Sequence, residues 1–156
     1  MANYITKEGM QRLRMRMNEL IAERPAIIKQ VVTAREMGDL SENAEYHAAR
    51  ERQRHLENEY NRIKNRLDKL QVIDAANIPK DAVRFGAKVT VKEISTGDIL
   101  KLYLVGIDEV YDTEDEYKRK SIASPMGKPM IGKKPGAHFT VEAPIGNREF
   151  EIIDIK

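Results

Sequence analysis

Two apolar seams at helical spacing, parted by a short polar turn, constrain this chain most. Met10, Leu13, Met17, Leu20, Ile27, Val31 and Ala34 keep alternating steps of three and four, with Arg24 in the one polar slot. After the turn, Tyr46, Ala49, Leu56, Tyr60, Ile63, Leu67 and Leu70 repeat the pattern, with Gln53 interrupting. Steps averaging about 3.5 residues make a narrow stripe of the kind that buries against a partner helix. Two such segments joined by a short Gly-containing turn pair most simply with each other, as an antiparallel coiled-coil hairpin. Helices of about 29 residues would make an arm roughly 43 Å long. Pro25 conflicts with the first helix, because it removes a hydrogen bond at a cost of about 3 kcal/mol, and predicts a kink there.

The turn reads Gly38-Asp39-Leu40-Ser41-Glu42-Asn43-Ala44-Glu45. Gly38 suits the left-handed position just past a helix end. Asp39 and Glu42 have the spacing of a capping box, in which the first carboxylate accepts from a backbone N–H and the second reaches back. A capping carboxylate keeps lone pairs free, so the same pair can hold a metal ion at the tip of the arm. Pattern alone leaves both readings open.

Beyond Leu70 the period changes to two. Ala87, Val89 and Val91 alternate with Lys88, Thr90 and Lys92, and Leu100, Leu102 and Leu104 with Lys101 and Tyr103. Phe139 and Val141, then Phe150 and Ile152, repeat the alternation. Ser95-Thr96-Gly97-Asp98 and Pro144-Ile145-Gly146-Asn147 read as hairpin turns. Ser124-Pro125 reads as the start of a short helix ending near Ile131-Gly132. The expected organisation is α+β: an arm over residues 1–75, a linker over 76–82 and a small antiparallel-sheet domain over 83–156. The chain has 156 residues with no Cys, which excludes a disulfide framework and thiol chemistry. No apolar run approaches the ~18 residues of a membrane helix, and no signal-peptide pattern opens the chain. The net charge of +2 is too small for nucleic-acid binding to rest on bulk charge.

The run Gly38-Asp39-Leu40-Ser41-Glu42-Asn43-Ala44-Glu45-Tyr46-His47-Ala48-Ala49-Arg50-Glu51 resembles the tip motif of the bacterial GreA/GreB transcript-cleavage factors. Ile5-Thr6-Lys7-Glu8-Gly9 resembles the family's opening, Gln71-Val72-Ile73-Asp74 its helix exit, and Phe85-Gly86-Ala87-Lys88-Val89-Thr90-Val91 its first C-terminal strand. Ser124-Pro125-Met126 followed by Ile131-Gly132-Lys133 resembles its late loop. The likeness leans towards the GreA branch. It implies an FKBP-like C-terminal domain that binds RNA polymerase at the rim of the secondary channel, through Ser124, Pro125 and Met126. The arm would enter that channel and bring Asp39 and Glu42, as the catalytic pair, to the RNA 3′ end of a backtracked complex. There they would help hold a magnesium ion shared with the polymerase active centre, the isolated chain binding none. The factor would thus be a monomeric, cytoplasmic helper and not itself an enzyme. Ala123 departs from the pattern, since the family often has a polar or acidic residue before Ser124-Pro125.

Arg50, Arg52 and Arg54 lie roughly 12 to 18 Å from Glu42 along the helix. They are either solvated and paired with Glu51 and Glu57, or they contact RNA phosphates, as the resemblance implies. Arg12 and Arg16 read as surface residues. His47 and His55 lack a His or Cys partner at metal spacing. Two other functions compete. A channel regulator without cleavage would not need the Asp39/Glu42 pair. A prolyl isomerase would need an aromatic-lined pocket, which 3 Phe and no Trp make unpromising.

Overall fold

The computed structural model describes residues 3–38, 43–111 and 115–156. Two compact units emerge: Gln11–Lys69 forms one, and residues 1–10 join Leu70–Lys156 in the other.

The first unit is the helical hairpin. Helix α1 spans Lys7–Arg35, its first residues belonging to the second unit, and α2 spans Ala44–Lys69. The seam residues are the ones withdrawn from solvent. Leu20, Val31, Ala34, Ala49, Leu56 and Ile63 are buried, and Leu13, Met17, Ile27, Tyr60 and Leu67 pack beside them. Helix α1 runs through Pro25 without a break. Arg24 fills its polar slot by pairing across the seam. It donates to both Glu57 carboxylate oxygens at 2.8 and 3.2 Å and lies 4.5 Å from the centre of the Tyr60 ring.

Arg16 is not the surface spectator expected from the sequence. Its Nε and Nη2 each reach a Glu59 oxygen at 2.8 Å, a bidentate bridge between the two helices. Glu59 holds the guanidinium above its usual range, and Arg16 holds the Glu59 carboxyl below the ordinary carboxylate value. A carboxyl depressed by folding stabilises the native state above its unfolded pKa of about 4.3, and that contribution is lost as pH falls through the folded value. Helix melting followed by circular dichroism should therefore shift down between neutral pH and about pH 3, with Glu59→Gln showing a smaller shift. Both side chains are partly exposed, so the pair's share is about 1 kcal/mol or less. An identical acid shift in wild type and variant would assign the effect to other carboxyls.

In the second unit, β1 (Tyr4–Thr6) pairs in parallel with β2 (Gln71–Ile73). A five-stranded sheet follows in the order β5-β4-β3-β7-β6, from β3 (Lys88–Glu93), β4 (Ile99–Val105), β5 (Lys118–Ser121), β6 (His138–Val141) and β7 (Arg148–Ile155). Its pairs are antiparallel except β4 with β5, which run in parallel because a crossover rather than a hairpin joins them. The period-two residues point where alternation predicts: Val89, Val91, Leu102, Leu104, Phe150 and Ile152 are buried in one core. Phe139 stacks on Phe150 with ring centres 5.3 Å apart.

Residues 4–9 sit in this unit because a buried carboxylate holds them. Glu109, 1% exposed, accepts from the N–H of Thr6 at 2.9 Å, from its hydroxyl, and from the Gly106 N–H at 3.1 Å. A Cβ at Gly9 would stand 2.3 Å from a Glu109 oxygen, so this turn of α1 approaches too closely for any side chain.

Candidate functional site

One amide closes the described end of the hairpin. Asn43 Oδ1 accepts from the N–H of Tyr46, the third residue of α2, at 3.0 Å, which is the N-cap geometry. Its Nδ2 donates at 2.6 Å to the Ala34 carbonyl, in the last turn of α1, which also accepts from the Met37 N–H at 3.1 Å. The expected positive φ appears at Gly38, at 124°. Tyr46 packs half-buried, with the Arg35 guanidinium 5.9 Å from its ring centre. Asp39 and Glu42 lie outside the described residues. The cap at the start of α2 is Asn43. Sequence reading missed Asn43, although Asn is a favoured cap and immediately precedes the periodic run.

The three arginines do not form one patch. Arg54 pairs with Glu51, which also meets His55 Nε2 at 3.1 Å. Arg50 donates to the side-chain carbonyl of Gln53 at 2.7 Å, and Arg52 crosses the hairpin to that of Gln30 at 2.9 Å. Glu57, expected to neutralise this group, is taken by Arg24. Arg50 and Arg52 therefore keep their charge against neutral partners. Among the described residues no three His, Cys, Asp or Glu side chains converge to hold a metal ion.

Ser124, Pro125 and Met126 line a cleft of about 570 Å³ on the sheet unit. Leu100, Leu102, Val141 and Pro144 supply apolar walls, and Lys101, Lys118, Lys120 and Arg148 a basic rim, with Glu142 the opposing charge. Two rim cations are already paired: Arg148 with Glu93 at 2.7 and 3.0 Å, and Lys101 with Glu116 at 3.0 Å. Lys118 and Lys120 have no carboxylate partner among the described residues. Burial, then the neighbouring Lys118, lowers the Lys120 ammonium pKa. The helix expected from Ser124 is a series of turns followed by a single 3-10 turn at Lys128–Met130. Ser124 still caps: its Oγ accepts from the Gly127 N–H at 2.9 Å and donates to the Ser121 carbonyl at 2.6 Å. Pro129, between Gly127 and Gly132, favours short turns over a continued helix.

A helical hairpin with two carboxylates in the sequence between its helices, joined to a small sheet unit with a basic-rimmed cleft, matches one class of protein in sequence over nearly the whole chain. Residues 3–72 match the N-terminal domain of transcription elongation factors, and residues 78–156 match the GreA/GreB C-terminal domain. The chain belongs to the GreA/GreB family of transcription elongation factors. It is 44% identical over 152 residues to transcription elongation factor GreA of Thermodesulfovibrio yellowstonii, covering 97% of this chain and 94% of that one. It is 41% identical over 151 residues to GreA of Solidesulfovibrio magneticus, covering 97% and 90%. Among solved structures, GreA factor homolog 1 of Thermus thermophilus aligns over 98% of this chain and 97% of its own, at 22% identity and a TM-score of 0.45. Among the described residues no helix is long and apolar enough to cross a membrane.

Proposed function

We propose that this factor binds RNA polymerase and stimulates the polymerase's own hydrolysis of backtracked RNA. The sheet unit docks at the rim of the secondary channel through the cleft lined by Ser124, Pro125 and Met126. The arm enters the channel and carries Asp39 and Glu42 to the polymerase active centre, where the extruded RNA 3′ end lies. The factor acts there as a single copy in the cytoplasm, and the bond is broken in another protein's active site.

The observation that carries this reading is Asn43. Its amide supplies the N-cap of α2, which supports a chemical role for the Asp39/Glu42 pair beside any capping one. A pair of hard oxygen donors suits magnesium, which needs only one or two carboxylates when other ligands come from elsewhere. Bound between the two proteins, magnesium would activate water and stabilise the leaving oxygen. Asp39 and Glu42 hold the ion. The unneutralised Arg50 and Arg52 guanidinia steady the phosphates of the extruded strand, with Arg54 contributing less because Glu51 offsets it.

The deciding measurement adds the full chain to stalled, backtracked elongation complexes and follows the RNA. Cleavage should accelerate by orders of magnitude, whereas the chain without polymerase should cut nothing. Slowed nucleotide addition with unchanged cleavage would overturn the reading and identify a channel regulator.

A further inference from the structure

Of the four cations around the Ser124–Met126 cleft, Lys120 alone is both partly buried and free of a hydrogen-bond or ion-pair partner among the described residues. Its setting follows from strand register. β5 is an edge strand, and Lys118 and Lys120 stand beside Leu102 and Leu104 of β4, which are buried in the core. Registered neighbours in a sheet share a face, so both lysines lie on the core side. Arg119 between them sits over the Tyr103 ring on the other side. Inward charges on an edge strand stop further strands adding. That role accounts for the two charges and not for the lack of an acid beside them. The cleft sets the Lys120 amine among apolar walls from Leu100, Val141 and Pro144, with Lys118 about 7 Å away along the strand. Burial, then Lys118, lowers the amine's pKa, which enlarges its neutral, nucleophilic fraction at neutral pH. A lysine desolvated beside a second cation is a recurring form of amine nucleophile.

We infer that Lys120 is an acylation site that takes the acyl group of a small acyl phosphate. Lys118, whose charge no carboxylate offsets among the described residues, receives the phosphoryl oxygens. The neutral Nζ of Lys120 attacks the acyl carbon. A C–N bond forms and the bond from the acyl carbon to the phosphoryl oxygen breaks. Phosphate leaves with that electron pair, and the new amide loses a proton to solvent. Nothing is oxidised or reduced. The product is a neutral amide, so the rim loses one cation. An acidic partner docking on the cleft then loses a charge that faced it, and acylation turns docking down. This consequence rests on the docking role proposed above for the same cleft.

The full chain, without polymerase, is incubated with acetyl phosphate at neutral pH, and occupancy at each lysine is followed by peptide mass spectrometry. Lys120 should acetylate several-fold faster than Lys29 and Lys134, which are exposed. Inorganic phosphate should slow the reaction at Lys120 and not at Lys29 or Lys134, and Lys118→Gln should remove that competition. Polymerase should bind the treated chain several-fold more weakly than the untreated one. Lys120→Arg keeps a charge without an acylable amine, so its affinity should be the same before and after treatment. Acetylation of Lys120 no faster than of Lys29, or a rate indifferent both to phosphate and to Lys118→Gln, would overturn the site. Selective acetylation of Lys120 with unchanged affinity for polymerase would keep the site and sink docking through the cleft.

Discussion

Asp39→Ala and Glu42→Ala should each nearly abolish stimulated cleavage, by two orders of magnitude or more, while affinity for polymerase stays within about twofold. Removing one of two carboxylates leaves the shared magnesium ion with a single donor from this chain, and a metal-assisted displacement loses the corresponding charge stabilisation. The fold should not suffer, because the cap of α2 belongs to Asn43 and the seam begins beyond it. Rate and binding measured on the same complexes decide the matter. Both variants cleaving at the wild-type rate would remove the pair from the chemistry. Raised magnesium should partly rescue the variants if retention of the ion is what they lose.

Lys118→Glu combined with Pro125→Asp should do the opposite: binding falls by roughly ten- to a hundredfold, and cleavage recovers when the protein is supplied in excess. Both side chains are exposed, so the core of the sheet unit is left intact. The cleft offers apolar walls under an unneutralised lysine rim, an arrangement that an acidic, partly apolar helix of a partner would complement. Reversing a rim charge slows association, and an aspartate on the apolar wall must be desolvated on docking, costing about 1–3 kcal/mol. Titration of polymerase with wild type and variant reads this directly. Unchanged affinity would place docking elsewhere on the sheet unit. The two experiments together separate holding on from acting: the tip variants should bind and not act, and the cleft variant should act when made to bind.

Much of this architecture was legible from residue spacing, and the reason is that the legible parts are local. A heptad-like seam is written within one helix, and the residues it marks are those the hairpin buries. Strand alternation likewise fixed which faces of β3, β4 and β7 point inward. What spacing did not show depends on partners distant in sequence. The parallel pairing of β4 with β5 follows from a crossover, and β1 exists because Gln71–Ile73 lies beside it. Arg16 looked like one more solvated cation until Glu59 stood opposite, 43 residues away. At the candidate site, the three arginines were close in sequence, but their partners divide them: Gln53 and Glu51 on α2 take Arg50 and Arg54, and Gln30 on α1 takes Arg52. Asn43 is the instructive case, since a favoured cap residue was read only as part of the acidic motif.

The buried Glu109 clasp has a consequence for the order in which the chain folds. Thr6 and its carboxylate partner are 103 residues apart, a long loop to close. The hairpin between them is built from nearest-neighbour helical contacts, which form fast. Once it zips, Tyr4–Thr6 already lies beside Gln71–Ile73, and the span left to close runs only from Ile73 to Glu109. On logarithmic loop-closure scaling this shortcut is worth about 1 kcal/mol. On the ribosome the arm can close while the sheet strands are still unmade, and the N-terminus waits, held by its own hairpin, for a carboxylate that arrives later.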